Sequence, residues 1–302
     1  MRVDWLDDLI ALLDRGGVAE AASRRNVTQP AFSRRIKVLE DVLGFDIIDR
    51  SARPSGPSPI LKAHEAELRK LASSQGQLLS KMRLEHGSGA RQIVVASQHA
   101  ITTALGPEMV SVLTQPGKIH IRLRSANFDE CETMLMTREA SVALTYRILA
   151  EVPAELPDVL TEVTLGHEKL IPVAAQDHAR DIMWRFHNGE LRLIGYPADV
   201  FLGIALSRHI LPGLEGKCQV NVVAETGLTT AALQLSRSGL GVAWVPSALA
   251  RNAIGQGELV ELAEELGAID MELIARRWKT DENPVVLAAW RQLATLGQER
   301  AL

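Results

Sequence analysis

A change of texture near Arg91 constrains this chain more than any other feature. Downstream of it, short apolar runs recur: Ile93-Val94-Val95-Ala96, then Ile119, Ile121 and Leu123 in alternation, then Val142-Ala143-Leu144. Leu170-Ile171-Pro172-Val173, Leu191-Arg192-Leu193-Ile194, Val220-Asn221-Val222-Val223 and Val242-Ala243-Trp244-Val245 continue the series. Helical stretches near 102–114 and 128–138 separate the early runs, and a last helix spans about Asn283 to Leu296. Strands alternating with helices predict an α/β fold with mainly parallel sheets. Upstream, residues 4–43 show only helical spacing. Two such regimes on 302 residues mean two domains or more.

The apolar fraction of 46% and charged fraction of 23% exclude disorder and collagen-like repeats. No run of 18 apolar residues is present, so no membrane partner is expected. Asp4, Asp7 and Asp8 at the start do not suit a secretory leader, and two cysteines, Cys131 and Cys218, cannot make a disulfide framework. A cytoplasmic chain is the expectation. The net charge of −4 argues against a globally basic nucleic-acid binder, so charge has to be read locally.

Asp4 can cap a first helix whose apolar positions are Trp5, Leu6, Leu9, Ile10, Leu12 and Leu13, with Gly16-Gly17 ending it. Val18, Ala21 and Ala22 open a second short face, closed by Asn26. Thr28 then caps a third helix with Pro30 in its first turn. On a helical wheel Phe32, Ile36, Leu39 and Leu43 share one side, while Pro30, Ser33, Arg34 and Lys37 share the other. Gly44 breaks it. Two short helices joined by a tight turn, the second presenting polar groups, outline a helix-turn-helix. Arg15, Arg24, Arg25, Arg34, Arg35 and Lys37 face one acid, Glu20, in this stretch. Phosphates need such local charge. A merely solvated basic face is the competing reading, and Arg25 and Arg35 suit pairing with Asp or Glu.

Residues 45–59 turn extended and then rich in Pro, Ser and Gly, which reads as a wing. A helix over about 60–86 follows. Leu61, His64, Leu68, Leu71, Gln75, Leu78 and Met82 make a coiled-coil seam along it, with Leu61, Leu68, Leu71, Leu78 and Met82 as dimerisation residues. The alternative is a helix packed on its own domain. Gly87-Ser88-Gly89 reads as a hinge.

The segment Glu20-Ala21-Ala22-Ser23-Arg24-Arg25-Asn26-Val27-Thr28-Gln29-Pro30-Ala31-Phe32-Ser33-Arg34-Arg35-Ile36-Lys37-Val38-Leu39-Glu40 resembles the winged helix-turn-helix of LysR-type transcriptional regulators. Leu43-Gly44-Phe45-Asp46-Ile47-Ile48-Asp49-Arg50 resembles the family's following segment, with Ile47-Ile48 in place of Leu-Phe. Ser238-Gly239-Leu240-Gly241-Val242-Ala243-Trp244-Val245-Pro246 resembles its glycine-rich stretch before a strand. Pro57-Ser58-Pro59-Ile60-Leu61 departs from the family's Leu-Thr-Glu-x-Gly entry into the linker helix. Trp5-Leu6-Asp7-Asp8-Leu9 and Asn283-Pro284-Val285 with Trp290-Arg291-Gln292-Leu293 faintly resemble the hypochlorite-responsive branch.

The resemblance implies an all-α winged helix-turn-helix over 1–60, a linker (dimerisation) helix and hinge over 61–89, and a two-lobed α/β effector domain like periplasmic binding proteins over 90–302. Lobe one would hold 90–162 and 269–302, lobe two 163–268. It implies DNA contacts from Thr28, Gln29, Pro30, Ser33, Arg34, Lys37 and the wing's Arg53. Gln29 can read an adenine edge, and Arg34 a guanine or a phosphate. Ligands in open α/β sheets sit at strand C-terminal ends. Those ends offer Ser97, Gln98, His99, Thr102, Thr103, Asn127, Phe128, Tyr146, Tyr196, Phe201, Thr226 and Val245, with Arg147 the one fixed positive charge near the mouth. The implied partners are double-stranded DNA, a small-molecule effector, a second copy of the chain with further assembly to a tetramer, and RNA polymerase. No cofactor is expected.

No GxSxG, HExxH or Walker loop is present, and His167-Glu168 and His178 lack metal-ligand spacing. That argues against an enzyme, the first rival, and no metal or catalytic residue is expected. A small-molecule-binding protein without DNA function is the second rival. Within the regulator class, sensing by Cys or Met oxidation is the alternative to a bound effector.

Overall fold

A computed structural model describes residues 3–51, 55–85, 92–114, 119–152 and 155–300. The hinge Gly87-Ser88-Gly89 and the wing residue Arg53 lie outside the described residues. The chain forms two compact units, one holding residues up to Glu85 and the other almost all of the rest.

The first unit contains α1 (Val3–Arg15), α2 (Val18–Arg24), α3 (Gln29–Leu43), β1 (Ile48–Asp49), β2 (Gly56–Pro57), α4 (Pro59–Ala63) and α5 (Glu65–Glu85). Leu9, Leu12, Ala21, Ala22, Phe32, Ile36, Leu39, Ile47, Ile48 and Leu61 close one core. Fully burying a side chain such as Phe32 or Ile36 stabilises by roughly 1.5–3 kcal/mol, so the apolar side of α3 fixes how its polar side points. Asp4 lies inside α1 rather than capping it. Leu43 does not join the core: it is 43% exposed. Gly44 then takes φ +79, a conformation that costs a side-chain-bearing residue, and its N–H reaches the Glu40 carbonyl at 2.8 Å.

Two buried acids hold this unit together. Asp8, only 1% exposed, accepts from Arg25 Nε at 2.8 Å and pairs with Arg35 Nε at 2.8 Å. Those arginines are therefore structural, as their pairing reading had it. Glu40, 3% exposed, accepts from the backbone N–H groups of Ile47 at 2.9 Å and Ile48 at 3.2 Å, and from Arg50 at 3.0 Å. The carboxylate thus ties the end of α3 to the start of β1 in the two-strand wing. Burial pushes the Glu40 pKa up, but Arg50 and the two N–H groups outweigh it, and the net shift is downward.

The linker helix is not one continuous rod. Ser58 caps α4 by accepting from Leu61 N at 3.4 Å, Pro59 starts it, and the helix breaks at His64. Ser58 and Pro59 thus supply the helix start where the family pattern is missing. Leu61 is buried in the domain core and Leu68 packs with Leu6, Ile10 and Ala72, so neither offers itself to a seam. Arg69 binds both Asp14 of α1 and Glu65. Packing on its own domain describes the first half of α5. Leu71, Leu78, Leu79 and Met82 beyond it stay 44–59% exposed.

The second unit runs β3 (Gln92–Gln98), α6 (His99–Thr114), β4 (His120–Ala126), α7 (Phe128–Met136), β5 (Val142–Ile148) and β6 (Leu160–Ala175). It continues through α8 (Ala179–His187), β7 (Glu190–Gly195), α9 (Phe201–His209), α10 (Leu211–Glu215), β8 (Gln219–Glu225) and α11 (Thr229–Arg237). β9 (Val242–Pro246), α12 (Ser247–Gly255), β10 (Leu259–Glu261), α13 (Ala263–Leu266), β11 (Ile269–Trp278) and α14 (Pro284–Arg300) complete it. The strand order is β4-β3-β5-β11-β6-β9-β7-β8, with β10 on β6. β3 pairs parallel with β4 and β5, and β7 parallel with β8 and β9. The two long strands β6 and β11 pair antiparallel with each other. β6 leaves one parallel group near Leu170 and joins β9 from there on, so two parallel lobes share two crossover strands. The expectation of mainly parallel sheets holds within each lobe and fails at the crossovers. Residues 220–223 lie on β8 at the sheet's edge, where Val222 is 57% exposed.

Candidate nucleic-acid interface and ligand cleft

At the N-terminus of α3, Thr28, Gln29, Pro30 and Arg34 are exposed and Ser33 half-buried. Thr28 holds the N-cap position with extended backbone, but its side chain makes no capping bond. Capping by the threonine hydroxyl therefore fails as an expectation, and that hydroxyl stays available to an outside acceptor. Lys37 is exposed and reaches Asp41 at 3.3 Å, a surface pair worth little. The first two turns of α3 thus present an amide, a hydroxyl pair and a guanidinium on a rigid base.

In the second unit four strand-to-helix junctions meet in a cleft between the lobes. β3 passes into α6 at His99, and β4 into α7 at Phe128. β7 leads to α9 at Phe201, and β8 to α11 at Thr229. Of the twelve residues expected there, Gln98, His99, Asn127, Phe128, Tyr146, Tyr196 and Phe201 line the cleft. Gln98 Oε1 accepts from Tyr146 N at 2.6 Å, locking β3 to β5. Tyr196 donates to the Trp244 carbonyl at 2.9 Å, and burial raises its pKa against a bond from Thr229. His99 Nδ1 meets Ser125 Oγ at 2.8 Å. Burial lowers its pKa more than Glu130 raises it, so the ring is neutral near pH 7.

The others stand apart from the lining. Ser97 is fully buried and its hydroxyl bonds Thr102, whose own hydroxyl also reaches the Gln98 carbonyl at 3.3 Å. Thr102 therefore braces the junction from within α6. Thr103 is exposed and returns to the His99 carbonyl at 3.0 Å. Thr226 closes a turn by accepting from Leu228 N at 3.1 Å. Val245 is fully buried core. Arg147 is the clearest correction. Its neighbour Tyr146 lines the cleft, so Arg147 projects from the opposite sheet face, where it binds Glu162 and Glu272, while Arg276 joins Glu162 at 2.8 Å and Glu132 at 3.0 Å. Sequence reasoning, which started the helix after β8 at Thr226-Gly227, placed Gly227 at the cleft but missed Thr229 and Leu202. α11 begins three residues later than the Thr226-Gly227 turn suggested, and the helix-opening residue after each strand was the available signal.

Both thiols are free and buried. Cys131 is fully buried and its pKa is pushed up to about 12 by burial and nearby Glu132 and Glu130. Burial also raises that of Cys218. Little reactive thiolate forms at either. Among the described residues no helix is long and apolar enough to cross a membrane.

The family of LysR substrate binding domains matches residues 86–297, and that of bacterial regulatory helix-turn-helix proteins of the lysR family matches 3–60. The chain belongs to the LysR family: it is a transcriptional regulator with a helix-turn-helix DNA-binding domain and an α/β effector-binding domain. The HTH-type transcriptional regulator YjiE of Escherichia coli is 26% identical over 294 residues, 97% of this chain and 94% of that protein. Full-length HypT of Salmonella typhimurium, described as hypochlorite-specific, superposes with a TM-score of 0.60 at 23% identity, covering 99% of each chain. DarR of Vibrio fischeri, solved in complex with DNA, gives 0.59 at 23% identity over 97% of this chain and 98% of that one.

Proposed function

We propose that α3 reads operator DNA through Gln29 and Arg34, and that a small effector in the interlobe cleft switches this binding. The observation that carries the first part is the split of α3: its apolar side is buried in the domain core while Thr28, Gln29, Pro30 and Arg34 stand exposed at its start. Such a helix start enters the major groove, and DarR, a structural neighbour solved in complex with DNA, is in keeping with DNA as the partner. The effector part rests on the junctions that aim Gln98, His99, Phe128, Phe201 and Thr229 into one space. The ligand acts only through unequal affinity for two arrangements of the protein, and a coupling of about 1–3 kcal/mol suffices.

Gly227 supplies the test of the cleft. Gly227 is a lining residue, and a side chain added there meets nothing within 4 Å at its first carbon, so a large one is accommodated at the cleft without disturbing the backbone. Gly227→Trp is expected to abolish any effector-dependent change in DNA affinity that the unaltered chain shows in gel-shift titrations. An undiminished response places the effector elsewhere. The reading also takes the chain to be a cytoplasmic, non-membrane protein that works with RNA polymerase.

Assembly follows from α5. Leu71, Leu78 and Met82 form an exposed apolar stripe that a second copy would cover, bringing two α3 helices to major grooves about 34 Å apart. Tetramers would follow through the effector domains. Leu71→Glu is expected to at least halve the particle mass seen by light scattering. An unchanged mass removes α5 from the interface.

A further inference from the structure

We infer that the cleft selects a flat, uncharged ligand, and that the Phe128–Phe201 ring pair is both its gate and its binding surface. This rests on the reading of the cleft as the effector site. Phe128 opens α7 in one lobe and Phe201 opens α9 in the other. Their rings stack across the cleft with centroids 5.3 Å apart and planes 17° from parallel. The free space beside them is about 30 Å³. That admits two or three water molecules, whereas a benzene ring needs on the order of 150 Å³.

A ring-bearing ligand therefore enters only by parting the two phenyl groups. Once parted, they present two nearly parallel apolar walls. A flat conjugated group between them recovers stacking on both faces, while a puckered saturated ring cannot approach both closely. The polarity of the lining narrows the choice. No Lys, Arg, Asp or Glu is among the lining residues. At the start of α7 the backbone N–H of Asn127 is already answered by Glu130 at 3.2 Å. A charged group would lose its hydration here without a counter-charge. Gln98 Oε1 and the Thr229 hydroxyl already have partners, so the Gln98 amide N–H groups and Asn127 are what suit a neutral carbonyl or amide.

The test uses thermal unfolding of the full chain with three probes of one size. Benzamide is flat and neutral, cyclohexanecarboxamide keeps the amide on a puckered ring, and benzoate is flat and charged. Benzamide is expected to raise Tm by about 3 °C at tenfold excess over its Kd, with shifts at least threefold smaller from the other two at the same concentration. Phe128→Leu and Phe201→Leu, which keep apolar bulk but lose the flat face, should each abolish the benzamide shift. Phe128→Ala and Phe201→Ala repeat the comparison without the bulk. Absence of a benzamide shift, equal shifts from either other probe, or full shifts in the leucine variants overturn the proposal. Gly227→Trp separates this from the broader reading. If benzamide stabilises that variant as strongly as the unaltered chain, the cleft is not the site and the effector reading fails. If all three probes bind and Gly227→Trp blocks them all, the cleft stands and only the selection for flat, uncharged ligands falls.

Discussion

Glu40→Ala is expected to destabilise the DNA-binding domain by about 3 kcal/mol and to abolish operator binding at physiological temperature. The carboxylate is 3% exposed and answers the N–H groups of both Ile47 and Ile48. Removing it strands two backbone donors at the junction between α3 and β1, at roughly 1–3 kcal/mol each before water reaches them. Arg50 adds less, because its side chain is 54% exposed and the pair is screened by solvent. Glu40→Gln keeps an acceptor oxygen but loses the charge, so about half the effect should remain. The pH dependence has a definite sign. The folded pKa lies below the unfolded value of about 4.3, so the stabilisation is complete above that value and is lost as pH falls through the folded pKa. Acid unfolding followed by circular dichroism should therefore lose its steepest portion below about pH 4 in Glu40→Gln. Equal acid transitions in both proteins would show that the carboxylate does not carry this coupling.

Gln29→Ala and Arg34→Ala are each expected to weaken specific DNA binding by about 1–3 kcal/mol, on the order of 5- to 150-fold. Both side chains are exposed at the start of α3, and neither touches the buried core. Stability should therefore change by less than about 0.5 kcal/mol. The two losses differ in kind. Replacing Gln29 should relax the preference at one base pair. If Arg34 instead holds a phosphate, its loss weakens all sequences alike and reduces the salt slope by about one. Gel-shift titrations at two salt concentrations separate these outcomes.

Much of this was legible in the sequence because it depends on local rules. Helical spacing located α1, α2 and α3, and Gly44 marked a stop that only a left-handed residue satisfies. Strand ends located Gln98, His99, Phe128, Tyr146, Tyr196 and Phe201, since strand-to-helix junctions in a two-lobed α/β fold face one cleft. The failures come from tertiary contacts that spacing does not encode. Leu61 and Leu68 fit a heptad, yet α1 lies close enough to claim both. Thr102 has the chemistry of a ligand contact, but Ser97 at the end of β3 binds it first. Arg147 follows Tyr146, and the alternation of a strand sends it to the other face, where Glu162 and Glu272 wait on β6 and β11. Those acids lie 15 and 125 positions away, beyond any local pattern.

The function as a regulator is tested most directly by DNA capture. The full chain is incubated with a pool of fragmented genomic DNA at physiological salt, bound fragments are recovered, and the enriched ones are footprinted. A regulator reading DNA through paired α3 helices should enrich a small set of fragments, protect half-sites spaced by whole helical turns, and lose that enrichment in Arg34→Ala. Uniform recovery of all fragments, with the same salt dependence in the unaltered chain and in Arg34→Ala, would contradict it.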